Sequence, residues 1–271
     1  MESYDNRPIG VFDSGLGGLT VVTYLSDILP DENFIYFGDT ARTPYGSKSI
    51  KTIQNFSTQI SDFLIENEVK IIVIACNTVS ATCLELLRVK YPGTPVIGMI
   101  MPAAERITKE CDKNSKVGVI GTKVTIESRQ YEKAIRKCGG KFDVSSKACP
   151  LFVPLIEEGV NNDTVIDAII KYYLEDFLKE NCIDTLVLGC THYPVLEKKI
   201  RELFSQLKII NPSLIVAQEV KKYLWDHNML ALESNCKSSF YASDLSDEFL
   251  RIIYKIFSNK CINIELKNFE K

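Results

Sequence analysis

Absences narrow the reading first. No apolar run in the 271 residues approaches the ~20 that a membrane-spanning helix needs. Residues 1–7 are polar and acidic and lack the apolar core of an export signal, so a cytoplasmic location is expected. Charge of one sign is missing as well. With 32 basic against 35 acidic side chains the net charge is −3, which gives no electrostatic case for nucleic acid or an anionic membrane as partner. The nine cysteines (76, 83, 111, 138, 149, 182, 190, 236 and 261) are odd in number and irregularly spaced. There is no CxxC and no zinc-ribbon spacing, so reduced thiols are expected rather than a disulfide framework or a metal centre. The dinucleotide fingerprint G-x-G-x-x-G and the lysine of a phosphate loop are absent, as is any low-complexity segment. What remains is a globular chain, 45% hydrophobic and 25% charged, with room for one large domain or two ordinary ones and a small-molecule or protein partner.

The most informative stretch is Val69-Lys-Ile-Ile-Val-Ile-Ala-Cys-Asn-Thr78. Four β-branched residues, 71–74, predict a strand buried on both faces, and it ends in Cys76-Asn77-Thr78 before a helical pattern. The chain does nearly the same again: an apolar run at 185–188 ends in Gly189-Cys190-Thr191-His192-Tyr193-Pro194. Other strands are predicted at 8–13, 34–37, 96–99, 115–120, 141–145 and 239–242. Helical spacing marks 19–29, 50–67, 130–137, 165–177, 218–229 and 244–257, with further helices after Cys76 and after Pro194. This alternation predicts an α/β fold. The strand at 8–13 ends in Asp13-Ser14-Gly15-Leu16-Gly17-Gly18, and the one at 115–120 ends in Gly121-Thr122-Lys123-Val124-Thr125, so the second half opens like the first. In open α/β sheets ligands bind at the carboxyl ends of strands, which is where these polar residues fall.

Several chemistries fit two cysteines at strand ends. Both thiols suit the role of small buried hydrophobes. A disulfide needs an oxidising compartment. A metal site from Cys76, Cys190 and His192 has no fourth evident ligand. A nucleophilic cysteine with His192 as base leaves the other cysteine idle. Two-base proton transfer uses both: a thiolate removes a proton from one face of a carbon and a thiol delivers one to the other face. That chemistry needs two acid–base groups of the same kind on opposite sides of a substrate, in opposite protonation states, with Asp13 and His192 placed to steer the proton. A pyridoxal enzyme would need a Schiff-base lysine, and only Lys123 stands inside these motifs.

Taken in series, Asp13-Ser14-Gly15-Leu16-Gly17-Gly18, Pro44-Tyr45-Gly46, Ala75-Cys76-Asn77-Thr78, Gly121-Thr122 with Thr125, and Gly189-Cys190-Thr191-His192-Tyr193-Pro194 resemble the glutamate racemase family of the cofactor-independent aspartate/glutamate racemase superfamily. The match runs in order from residue 8 to about residue 194 and loosens beyond 210. His192 after Cys-Thr is similar to the glutamate enzymes, whereas an acidic residue there is typical of aspartate racemases. The resemblance implies two pseudo-symmetric doubly wound α/β domains, 1–98 plus 213–271 and 99–212, with the site at their interface. It implies Cys76 acting on D-glutamate and Cys190 on L-glutamate, assisted by Asp13, His192 and Glu157, with Glu158 as the alternative to Glu157. Substrate contacts are expected from Asp13, Ser14, Tyr45, Gly46, Asn77, Thr78, Thr122, Thr125, Thr191 and His192. No cofactor is expected, a homodimer is, and the product would be D-glutamate for peptidoglycan. An aspartate racemase, or a non-catalytic amino-acid-binding module on the same scaffold, stands as the alternative.

Overall fold

A computed structural model describes residues 4–232, 238–257 and 262–269. Cys236, Cys261 and residues 1–3 lie outside these. The first elements are β1 (Ile9–Asp13), α1 (Leu19–Ile28), β2 (Phe34–Gly38), α2 (Ile50–Glu66), β3 (Ile71–Ile74), α3 (Asn77–Lys90), β4 (Val96–Gly98) and α4 (Ile100–Glu110). Then come β5 (Lys116–Gly121), α5 (Lys123–Glu127), α6 (Gln130–Lys137), β6 (Asp143–Ala148), α7 (Phe152–Glu157), α8 (Asp163–Glu180), β7 (Thr185–Gly189), α9 (Glu197–Leu203) and β8 (Lys208–Ile210). The chain ends with α10 (Pro212–Asp226), β9 (Ser238–Ala242), α11 (Asp247–Ile256) and β10 (Ile262–Leu266).

The strands make two wholly parallel sheets, in the orders β10-β9-β2-β1-β3-β4 and β6-β5-β7-β8. Four strands of the first sheet, β2-β1-β3-β4, repeat the order of the whole second sheet, and in each the cysteine follows the third strand in sequence. The first two strands of each set wind one way and the third lies on the other side, so each cysteine sits at a switch point of its sheet, where parallel α/β folds open a crevice.

Burial explains the central strands. Ile71, Ile72, Val73 and Ile74 are wholly buried, between a core shared with α1, α10 and α11 on one face and one shared with α2 and α3 on the other. Burying each such side chain contributes ~1.5–3 kcal/mol. The second sheet packs α7, α8 and α9 on one face. On its other face α4 and α6 meet β5 and β7, together with Ala81 of α3 and Ile215 of α10, and this cluster joins the two sheets. At the amino ends of the first sheet, away from the cysteines, Lys70 is buried against Glu32 at 2.6 Å and donates to the carbonyls of Asp5 and Met229, both at 2.7 Å. Those bonds tie residues 5 and 229 to the start of β3. Among the described residues no helix is long and apolar enough to cross a membrane.

Several boundaries differ from those the periodicity predicts. The helix expected over 218–229 begins at Pro212, where Asn211 caps it by accepting from the Ser213 amide at 3.0 Å and proline costs nothing at the first position. Helix α4 lies in a stretch with no predicted element. Its proline, Pro102, falls in the first turn, where a missing N–H is tolerated. The strand expected at 141–145 is β6, shifted two to three residues onward, and β10 adds a short alternating edge strand after the last predicted helix.

Candidate active site

Cys76 and Asn77 stand where β3 turns into α3, with Cys76 as the capping residue of that helix. Cys190 follows β7 directly and leads through Thr191 and His192 into a short 3-10 turn, Tyr193–Leu196. Both thiols are buried, 4% and 7% exposed, and both are free. Each has its own neighbours. The Cys76 Sγ lies 3.6 Å from Ser14 Oγ, and Cys190 Sγ lies 3.7 Å from His192 Nδ1. The other ring nitrogen of His192 is 2.9 Å from Glu157 Oε1 at the end of α7. Glu158, the alternative acid, is exposed at the same helix end. So Glu157, not Glu158, is the acid that reaches His192.

The two halves touch through the turn after β1. Thr191 Oγ1 donates to Asp13 Oδ1 at 3.4 Å, and Thr20 Oγ1 donates to the carbonyls of Gly17 at 2.8 Å and Thr191 at 3.2 Å. A Cβ on Gly17 would stand 2.4 Å from Thr191 Oγ1 and 2.5 Å from His192 Nδ1, so only glycine lets this turn approach the Cys190 loop so closely. On the other flank the hydroxyls of Thr78, Thr122 and Thr125 lie within 3.0 to 3.3 Å of one another. Thr122 also caps α5 by accepting from the Thr125 amide. Gly46 packs against Thr122.

Tyr45 is placed otherwise than a substrate-contacting side chain would be. It is buried with its hydroxyl bonded to Asp39 Oδ2, a carboxylate that also takes the Arg42 Nε and the Ser243 Oγ. Tyr36 and Tyr131, which sequence reasoning did not single out, and Tyr193 of the second cysteine motif complete the surroundings. Tyr36 donates to the Gly15 carbonyl at 2.7 Å, Tyr131 to Asn77 Oδ1 at 2.6 Å, and Tyr193 to the Cys149 carbonyl at 3.0 Å. Each reads in sequence as an ordinary core aromatic, and no local pattern marks its hydroxyl.

Burial and charge set the protonation of the site. Asp13 is wholly enclosed, and burial pushes its carboxyl above the ordinary value against the field of His192 and the Gly18, Gly15 and Ser14 amides. Burial and then Asp13 push the Cys76 thiol up to about 12, against the opposing pull of the Val79 amide and Ser14. Burial works against a charge on His192. The hydrogen bonds to Cys190 and Glu157, with the charges of Cys190 and Asp13, outweigh it and lift the imidazole to about 10. At neutral pH the arrangement is therefore a protonated Cys76 across from an imidazolium at Cys190.

A groove of about 1000 Å³ opens outside His192, between α1, α7, α9 and α11, and meets the site at Gly17 and His192 without either thiol lining it. Among the described residues no group of three or more His, Cys, Asp and Glu side chains is arranged to hold a metal ion. Cys76, Cys190 and His192 therefore do not form such a set.

The Asp/Glu/Hydantoin racemase family model matches residues 20–220. Glutamate racemase 2 of Caldanaerobacter subterraneus is 42% identical over 268 residues, covering 98% of this chain and 99% of that protein. The crystal structure of glutamate racemase from Francisella tularensis in complex with D-glutamate superposes with a TM-score of 0.89 at 39% identity, covering 97% of this chain and 98% of that one. An aspartate racemase homologue from Pyrococcus horikoshii, 18% identical with a TM-score of 0.58, shares the fold alone. The chain belongs to the glutamate racemase family.

Proposed function

We propose that the chain interconverts L- and D-glutamate by moving the α-proton between two thiols, without a cofactor. The observation that carries this is the pair of buried free cysteines at equivalent strand ends, one beside Asp13 and Ser14 and the other beside His192 and Glu157. In the L-to-D direction Cys190 acts as thiolate, with the His192 imidazolium as its counter-charge. It takes the α-proton, and the C–H electron pair passes to Cα and into the carboxylate. The Cys76 S–H then delivers its proton to the opposite face. D-Glutamate leaves, with Cys190 now the thiol and Cys76 the thiolate. The reverse reaction exchanges these roles. Asp13 and Ser14 serve Cys76, while His192, held by Glu157, serves Cys190. The carboxylates and ammonium of the substrate fall to Ser14, the amides of the Tyr45–Gly46 turn, Asn77, Thr78, Thr122, Thr125 and Thr191.

The strand orders support two units, 1–98 plus 213–271 and 99–212, closing on one substrate. The family supports a cytoplasmic homodimer supplying D-glutamate to peptidoglycan. The test is circular dichroism of the purified protein with L-glutamate, then D-glutamate, in D₂O with chelator present. Both signals are expected to decay to zero while one deuterium enters Cα. Exchange into only one enantiomer, or none, would overturn two-base racemisation of glutamate.

A further inference from the structure

We propose that Tyr131 is a positioning residue that fixes which end of the Asn77 amide faces the substrate. This rests on the glutamate reading of the site and adds a residue to it. Asn77 follows Cys76 and is 2% exposed, and its Nδ2 is buried without a hydrogen-bond partner. A buried, unsatisfied amide N–H₂ costs folding free energy, so the group needs an acceptor that the protein alone does not supply. A substrate carboxylate is such an acceptor. The orientation follows from the other end of the amide. Tyr131 donates to Asn77 Oδ1 at 2.6 Å, and among the described residues this is the one acceptor its hydroxyl has. Turning the amide over would leave that hydroxyl proton unbonded and aim an oxygen at the substrate anion. Tyr131 is itself anchored. It is 3% exposed within α6, and its ring stands 3.3 Å from where a Cβ on Gly189 would lie, next to Cys190. One side chain from the second sheet's helices thus bonds the residue after Cys76 and packs beside the residue before Cys190.

The discriminating variants are Tyr131→Phe and Asn77→Asp. Tyr131→Phe keeps the ring and frees the amide. It is expected to raise KM for both enantiomers and weaken calorimetric binding of D-glutamate by about tenfold, with kcat within about threefold, in line with loss of an oriented hydrogen bond to a charged group. Asn77→Asp puts a carboxylate against the substrate anion and is expected to weaken binding by about a hundredfold or more. Unchanged KM and binding in Tyr131→Phe would overturn the proposal, and so would a fall in kcat and melting temperature with KM unchanged, since that is the signature of a brace. Near-normal glutamate binding by Asn77→Asp would overturn it equally. Parallel racemisation assays separate the two claims. Wild-type protein that binds D-glutamate, loses that binding in Tyr131→Phe and yet does not racemise keeps this inference and removes the proposed activity. Wild-type protein that binds no glutamate removes both.

Discussion

The two cysteine ends occupy the same place in the same strand order, yet they are furnished differently. Cys76 passes straight into a helix of 14 residues, and the Val79 amide of its first turn bears on the sulfur. Cys190 passes into a 3-10 turn of 4 residues, which is too short to sum a useful dipole, and a cation stands beside it instead. Helix-end amides are fixed partial charges that no pH change removes. An imidazolium is a full charge that titrates. The Cys76 end thus rests on fixed helix amides beside the Asp13 carboxyl, and the Cys190 end on a cation that titrates.

The largest effect is expected from deleting either sulfur. Cys76→Ala and Cys190→Ala are each expected to lower racemisation by about a thousandfold or more, because each removes one of two general acid–base groups worth ~10²–10⁴ apiece. The halves should remain separable. Elimination from a glutamate analogue with a β-leaving group needs one base only, so Cys76→Ala should keep activity on the L-analogue and Cys190→Ala on the D-analogue. Loss of both eliminations in either variant would mean that the thiols do not act as independent bases.

Next in size are the partners. His192→Asn and Asp13→Asn are each expected to cost about a hundredfold. Enantiomers have an equilibrium constant of one, so kcat/KM must fall equally in both directions whichever side is damaged. The asymmetry has to be read from isotope effects. Weakening the Cys190 side makes its proton transfer the slow step. His192→Asn should then show a larger α-deuterium effect starting from L-glutamate and a larger solvent effect starting from D-glutamate. Asp13→Asn should show the opposite pattern. The same pattern in both variants would erase the assignment of one partner to each thiol.

How much of this was legible in the chain follows the same division. Buried strands and the polar residues at their ends are local signals, so Asp13, Cys76, Thr122, Cys190 and His192 could be picked out as strand-end chemistry. The α/β class came with the alternation of elements. Partnership is not local. Glu157 sits on a helix of six residues with no distinctive spacing, and its bond to His192 exists only once α7 packs beside β7. Tyr131 and Asp39 look like a core aromatic and a strand-end acid, and their contacts with Asn77 and Tyr45 span folded distances. Helix α4 was hidden because proline near its start reads as a breaker, although the first turn tolerates it.

A subtler change sharpens the pH contrast. Glu157 helps to hold the charge on His192, so Glu157→Gln should let the imidazole fall from about 10. The alkaline limb of kcat/KM should move down with it by about one pH unit or more, as loss of a charge-assisted hydrogen bond suggests, so activity on that limb should drop by roughly tenfold while activity at pH 7 holds. The sign for stability is the same. The folded value lies above the ordinary 6.5, so the contribution of the charged ring is fully present below about pH 6.5 and is lost as pH rises through about 10. Glu157→Gln should narrow that window from its upper end. An alkaline limb that stays in place would show that some other group sets it.

The smallest expected effect lies on the Cys76 side and tests the uncharged part of its support. Ser14 pulls the Cys76 thiol down, against burial and Asp13. In Ser14→Ala the thiol should move further up, since the Val79 amide alone then favours the thiolate. One neutral hydrogen bond is worth about 1 kcal/mol, or roughly a fivefold effect. The direction that begins with a Cys76 thiolate, D to L, should lose that factor in kcat. The direction that begins with a Cys76 thiol should hold its kcat and absorb the change in KM, because the ratio of the two kcat/KM values stays at one. The alkaline limb set by His192 should not move. If it does, the Thr191 to Asp13 bond at 3.4 Å couples the two ends tightly enough that they titrate as one unit. The contrast between a fixed and a titrating support would then give way to a single shared proton.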